Sequence, residues 1–163
     1  MKKEDLLLKT NSGLFSYRIA GVLIRDGKVL IQRALGDTSY SFPGGHVSFG
    51  EVSEESLIRE YKEEMRADIS IERLLWVQEN FWKWGKSDCH QLCLYYLIKL
   101  CDETQLPLEG TFTFKPQIET ENYTLEFSWV ELSKIKDLKF YPEFAKEKIL
   151  NLSDHIEHFI VRQ

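Results

Sequence analysis

The sequence predicts an α/β (α+β) fold, a mixed β-sheet with helices packed on it, and three observations lead there. β-rich runs separated by turn signals occupy most of Tyr17 to Leu100, one amphipathic helical segment interrupts them, and a second helical segment follows the last strand. The first element is the pair YRIAGVLIR and KVLIQR, joined by Asp26-Gly27. That dipeptide suits a two-residue turn with positive φ at both positions, so residues 17–33 read as a hairpin. A polar stretch runs to Ser41, after which Phe42-Pro43-Gly44-Gly45 marks a backbone break before the short run His46 to Phe49.

A helix is expected from Ser53, read as its N-cap, to about Met65, with Glu54 and Glu55 complementing the dipole in the first turn. At about 100° per residue, Leu57, Ile58, Tyr61 and Met65 fall in one arc. Glu60, Glu63 and Glu64 fall together on another side. Strands follow at roughly Ile69–Phe81 and Cys89–Leu100, separated by a polar turn region, Lys83–Asp88. Residues 101–121 carry Pro107, Gly110 and Pro116 and read mainly as loop. A strand at about Thr124–Val130 then leads through Leu132–Leu138 to a closing helix that begins near Pro142.

At 163 residues, 43% hydrophobic and 29% charged, the chain has the balance of one ordinary globular domain spanning 1–163, with its core at about 16–150. Its 21 basic and 26 acidic residues give a net charge of −5 with no dense Lys/Arg run, which disfavours duplex nucleic acid as a partner. The longest apolar run, Leu92 to Ile98, is far short of the roughly 20 residues of a membrane helix. The opening MKKEDLLLKTNSG has an apolar stretch of only Leu6 to Leu8, too short for a secretory signal, so a cytoplasmic location is expected. Cys89, Cys93 and Cys101 form an odd set with no C-x-x-C pair, which argues for reduced thiols. With His90 they offer poor zinc spacing and read as strand residues. A monomer or homodimer is expected.

The chemistry-bearing segment is GGHVSFGEVSEESLIREYKEEM, Gly44 to Met65. Glu60, Glu63 and Glu64 stand at i, i+3 and i+4, where like charges repel by about 0.2–0.5 kcal/mol per pair. Arg59 lies four residues after Glu55 and four before Glu63 and offsets part of this without neutralising the set. Hard oxygen ligands at this density suit Mg²⁺ or Mn²⁺. A solvated acidic helix face is the commoner meaning of a Glu-rich helix. The spacing G-x5-E-x7-R-E-x2-E-E from Gly45 through Glu51 to Glu64 weighs against it. A P-loop is excluded because Glu51 and Val52 occupy the positions that motif gives to Lys and Ser/Thr.

This pattern closely resembles the signature box of the Nudix hydrolase superfamily (MutT-like), and Gly45, Glu51, Arg59, Glu60, Glu63 and Glu64 match it. AGVLIRDGKVLIQR resembles the family's first hairpin, FPGG its approach to the box, and FSWVELSKI with Pro142 its closing strand and helix, so the resemblance covers roughly Ser16 to Leu150. It departs at Tyr61, where the family carries a bulky aliphatic residue, at Arg66, where it carries Gly, and at the small Ala67. A non-Gly residue in a left-handed helix-ending position costs around 1 kcal/mol, so reshaping of that turn is expected.

The resemblance implies an α/β/α sandwich with a loop-helix-loop box. It implies a pyrophosphohydrolase that uses Mg²⁺, or Mn²⁺, to cleave the diphosphate linkage of a nucleoside diphosphate joined to another group: a nucleoside triphosphate, nucleotide sugar, ADP-ribose or dinucleoside polyphosphate. It implies Glu60, Glu63 and Glu64, with the Gly45 carbonyl, as metal ligands, one glutamate serving as base, and Glu51 and Arg59 orienting the cluster. An extra acidic residue from outside the box has Glu119, Glu121 and Glu126 as candidates. For the substrate, a small anionic nucleotide-type metabolite, Phe81, Trp82 and Trp84 are candidates to stack and Lys83 and Lys86 to meet phosphate, while His90 has a cleft-facing or a packing role. A catalytically silent nucleotide sensor of the same fold and an isoprenoid diphosphate isomerase are the alternatives.

Overall fold

The structure, a computed structural model, describes residues 3–115 and 123–163. The Asp26-Gly27 turn forms as its composition requires, with φ of 50° and 72°, and joins β2 (Leu14–Arg25) to β3 (Lys28–Ala34). Only Ile24 and Arg25 of β2 pair with β3. The rest of β2 turns away to pair parallel with β6 (Ser87–Leu100) and antiparallel with β1 (Leu7–Lys9) and β4 (Gly44–His46). β5 (Ile69–Trp84) and β6 form one long hairpin around Gly85-Lys86, so both strands run further into the polar 83–88 segment than their apolar cores indicate. Among the described residues the strand order is β7-β8-β3-β2-β6-β5-β9, where β7 is Thr111–Phe114, β8 Leu125–Glu131 and β9 Glu157–Arg162. The sheet is mixed, as expected.

Alternation along β2 sends Ile19 and Leu23 to one face and Ala20 and Val22 to the other. On the first face α1 (Ser53–Met65) buries Leu57, Tyr61 and Met65. On the second face lie Phe42, Trp76, Phe140 and the short C-terminal helix α2 (Ala145–Lys148). Tyr61 fits where the family carries an aliphatic residue because Gly21 makes room. A Cβ on Gly21 would lie 2.7 Å from the Tyr61 hydroxyl, which donates to the Gly21 carbonyl at 3.2 Å.

Several expectations are corrected. Gly44 and Gly45 are strand residues rather than a backbone break, because strand β4 passes β2 closely enough that a Cβ on Gly44 would overlap the Ile19 carbonyl oxygen. Val52, not Ser53, is the N-cap. The Glu55 side chain accepts from its N–H at 3.4 Å, and the Ser53 hydroxyl instead bonds the Tyr96 hydroxyl at 2.6 Å. Ile58 is 40% exposed, whereas Glu64 is buried, so the inward arc of α1 is centred nearer the glutamates. Residues 101–121, read as loop, contain β7, and β1 and β9 were not expected. Leu132–Asp137 is a 3₁₀ turn, and the closing helix starts at Ala145, three residues after Pro142.

The turn after α1 is not reshaped: Arg66 itself takes the left-handed conformation, with φ 57° and ψ 25°, and its N–H and that of Ala67 bond the Lys62 and Tyr61 carbonyls. Arg66→Gly is therefore expected to raise stability by about 0.5–1 kcal/mol, reduced from the full steric cost by glycine's larger unfolded-state entropy. Thermal unfolding checks this, and a lower melting temperature for the variant would contradict it.

Candidate active site

The box folds as strand β4, a loop, and α1, and Arg59 is its hub. Arg59 Nε donates to Glu51 Oε2 at 3.1 Å and Nη1 to Glu60 Oε1 at 2.8 Å and Glu63 Oε2 at 3.2 Å. Nη2 reaches the His46 carbonyl at 3.2 Å and Ser48 Oγ at 3.1 Å. The fixed fork of a guanidinium can serve three carboxylates and a loop at once, which an ammonium cannot. The role expected for Glu51 and Arg59, orienting the cluster, is one this network can perform.

Burial pushes the Glu51 carboxyl up, but the Ser56 hydroxyl at 2.7 Å, Lys3 at 3.0 Å and Arg59 outweigh it and hold it below its ordinary value. A carboxyl lowered in the fold stabilises the protein above its unfolded-state pKa, and that contribution is lost as pH falls through the folded-state value. Glu60 moves the other way. Burial raises it, Arg59 opposes, and the nearby Glu63 and Asp5 add to the rise. A carboxylate that pays for burial and sits among other negative groups favours a cation beside it.

A hard divalent ion fits these residues on two grounds. Gly45 lacks a Cβ, and one placed there would overlap the Glu60 carboxyl carbon with its oxygens at 2.5 and 2.6 Å, so the glutamate lies directly against that backbone. The donors are carboxylate and carbonyl oxygens, the set Mg²⁺ and Mn²⁺ prefer. Among the described residues no three acidic, His or Cys side chains stand gathered at ligand distance, and Arg59 Nη1 lies between Glu60 and Glu63.

The second face of β2 carries a cavity of about 360 Å³ beside the Gly44-Gly45 strand, lined by Arg18, Ala20, Gln78, Asn80, Trp82 and Gln91 among others. Arg18 has no carboxylate partner among the described residues. Burial and then the Arg18 charge hold the His46 imidazole down at about 4, so His46 is neutral. The Gln78 carbonyl oxygen accepts from the Tyr95 hydroxyl at 2.7 Å, and Asn80 Oδ1 is buried with no hydrogen bond among the described residues.

Of the three aromatic residues expected to meet substrate, Trp82 lines this cavity. Phe81 points to the other face, its ring tilted 30° against His90 with centroids 4.3 Å apart and covered by Arg162 at 4.3 Å, and Trp84 is 73% exposed at the hairpin end. Lys83 pairs with Asp88 at 2.7 Å and Lys86 lies in the hairpin turn, both away from the box, and His90 packs between Phe15 and Phe81. Glu126 is held by Arg33 at 2.7 Å on β8. Glu119 and Glu121 lie outside the described residues. Sequence reasoning missed Arg18, whose strand position carried no sign of which face it takes, and Ser48 and Ser56, whose roles rest on loop geometry.

Comparison with known proteins agrees with this architecture. The NUDIX domain family model matches residues 16–151. The chain therefore belongs to the Nudix hydrolase family. Its fold is similar to that of a NUDIX hydrolase from Nitrosomonas europaea, with TM-score 0.60, 18% identity, and coverage of 91% of this chain and 79% of that one. It is also similar to an ADP-ribose pyrophosphatase from Streptococcus suis, with TM-score 0.56, 15% identity and coverage of 89% and 98%. A UDP-X diphosphatase shares the fold at TM-score 0.57 and 18% identity, covering 83% of this chain, which spans 59% of that protein's length. Among the described residues no helix is long and apolar enough to cross a membrane.

Proposed function

We propose that this chain hydrolyses a diphosphate linkage in a small nucleoside-diphosphate derivative, with Mg²⁺ or Mn²⁺ held by Glu60, Glu63, Glu64 and the Gly45 carbonyl. The observation that carries the reading is Arg59, which binds Glu51, Glu60 and Glu63 at once while Glu60 lies against Gly45. When bound, the divalent ion neutralises charge on the phosphate oxygens and lowers the pKa of water.

The residues do the rest. Arg59 and Glu51 fix the carboxylates' orientation, and Glu51 is itself fixed by Ser56 and Lys3. The Glu64 residue is buried and the Glu60 side chain only 14% exposed, so both carboxyls are largely withdrawn from bulk solvent, and one of the glutamates takes the proton from the attacking water. The cavity beside β4 receives the nucleoside portion, with the Gln78, Asn80 and Gln91 amides for polar edges and Trp82 for an apolar face. Arg18, which lines the cavity and has no carboxylate partner among the described residues, meets a substrate phosphate or carboxylate.

Arg18→Ala is expected to raise KM roughly ten- to hundredfold with kcat less affected, the loss of one charged hydrogen-bond partner at about 1.5–3 kcal/mol. An unchanged KM for the best substrate would remove Arg18 from the binding site. The overall reading is tested by incubating the chain with a panel of nucleoside triphosphates, nucleotide sugars, ADP-ribose and dinucleoside polyphosphates, with Mg²⁺ or Mn²⁺, and weighing the products by mass. Cleavage at the diphosphate in at least one is expected. Binding without cleavage across the panel would instead identify a sensor.

A further inference from the structure

The first residues of the chain lie before the family-matched segment, yet they are laced into the box. The Leu6 N–H donates to the Val47 carbonyl at 2.8 Å and the Phe49 N–H to the Glu4 carbonyl at 2.9 Å, while Asp5 forms a bridge with Ser48. Two side-chain links continue inward. Lys3 reaches Glu51 at 3.0 Å, and Ser48 Oγ donates to Asp5 Oδ1 at 3.0 Å while accepting from Arg59 Nη2 at 3.1 Å. The relay Asp5–Ser48–Arg59 thus ends on the guanidinium that holds Glu60 and Glu63.

A hydroxyl has one proton. By accepting it, Asp5 leaves the Ser48 lone pairs turned toward Arg59. We propose that Asp5, acting through Ser48, is a positioning residue that sets Arg59 and thereby the carboxylates that receive the divalent ion; this inference rests on the function proposed above. It gives the amino-terminal strap a part in metal affinity, although it lies outside the box and contributes no ligand.

Removing a group that stands behind a metal's own ligands costs about 10–100-fold in affinity. Calorimetric titration of MnCl₂ into the full chain, alongside thermal unfolding, tests it. Asp5→Ala and Ser48→Ala are expected to weaken Mn²⁺ binding by about 10–100-fold, and the double variant to be no weaker than Ser48→Ala alone. Asp5→Asn, which keeps an acceptor oxygen for the Ser48 hydroxyl, is expected to restore affinity to within about threefold of the parent.

Loss of melting temperature without loss of Mn²⁺ affinity in the alanine variants would overturn the proposal and leave a purely structural strap. Asp5→Asn binding as weakly as Asp5→Ala would overturn it in favour of a bare charge effect, and additive losses in the double variant would break the relay. Absence of Mn²⁺ binding by the parent chain is the distinct result that overturns the proposed function, and this inference with it.

Discussion

Glu63→Gln and Glu64→Gln are each expected to lower metal-dependent turnover by about 10³-fold while the circular dichroism spectrum and melting behaviour stay close to the parent's. Gln keeps the volume and one carbonyl oxygen of Glu and removes the charge. A thousandfold loss corresponds to about 4 kcal/mol of transition-state stabilisation, within what a metal ion supplies to phosphoryl chemistry. The two positions report differently on the fold. Glu63 is partly exposed and bonded to Arg59 at 3.2 Å, so its replacement disturbs little packing. Glu64 is buried among the inward residues of α1, where an isosteric amide is the mildest available change. Near-parent activity in both single variants would defeat the assignment of the helix carboxylates.

The second large effect separates two neighbouring glycines. Gly44→Ala is expected to destabilise the protein by about 3 kcal/mol or more, because its Cβ would overlap the Ile19 carbonyl and the Ala20 Cα is only 2.7 Å away. Backbone in a paired strand cannot step aside. At this chain length that is a drop of roughly 6–12 °C in melting temperature. Gly45→Ala meets instead the far end of the Glu60 side chain, which can swing away. It is expected to cost much less stability but to displace Glu60, with a loss of metal-dependent turnover of about a hundredfold or more. Measuring melting and turnover for both checks the pair. Equal effects of the two substitutions on both quantities would show that Gly45 serves the strand alone.

How much of this was legible in the sequence follows from which interactions are local. Asp26-Gly27 specifies its hairpin because two consecutive positive-φ residues leave few other conformations. The helix and its glutamates are legible because periodicity and the box spacing are properties of consecutive residues. Ser53 looked like the cap for the same local reason, and lost that place because Tyr96, distant in sequence, takes its hydroxyl.

β9 was missed because its six residues alternate half-buried and exposed and find their partner, β5, some eighty positions earlier. β7 is four residues at a sheet edge in a stretch punctuated by Pro and Gly, and its pairing is set by β8. At the site the division is the same. The hub role of Arg59 could be anticipated from its i,i+4 relation to Glu63, but its bonds to Ser48 and the His46 carbonyl depend on how the loop folds back. The apolar and aromatic character of Phe81, Trp82 and Trp84 was visible. Which of them reaches the cavity beside β4 depends on strand parity and the partners on each face, and that selects Trp82.

On the proposed function, the carboxylates of one helix, oriented by Arg59 beside Gly45, bind a divalent ion. Calorimetric titration of MnCl₂ at neutral pH into the parent chain and into Glu60→Gln, Glu63→Gln and Glu64→Gln addresses it most directly. Saturable binding by the parent, weakened at least about tenfold in each variant, is the expected result. Heats no larger than dilution for the parent, or one isotherm shared by all four proteins, would contradict it.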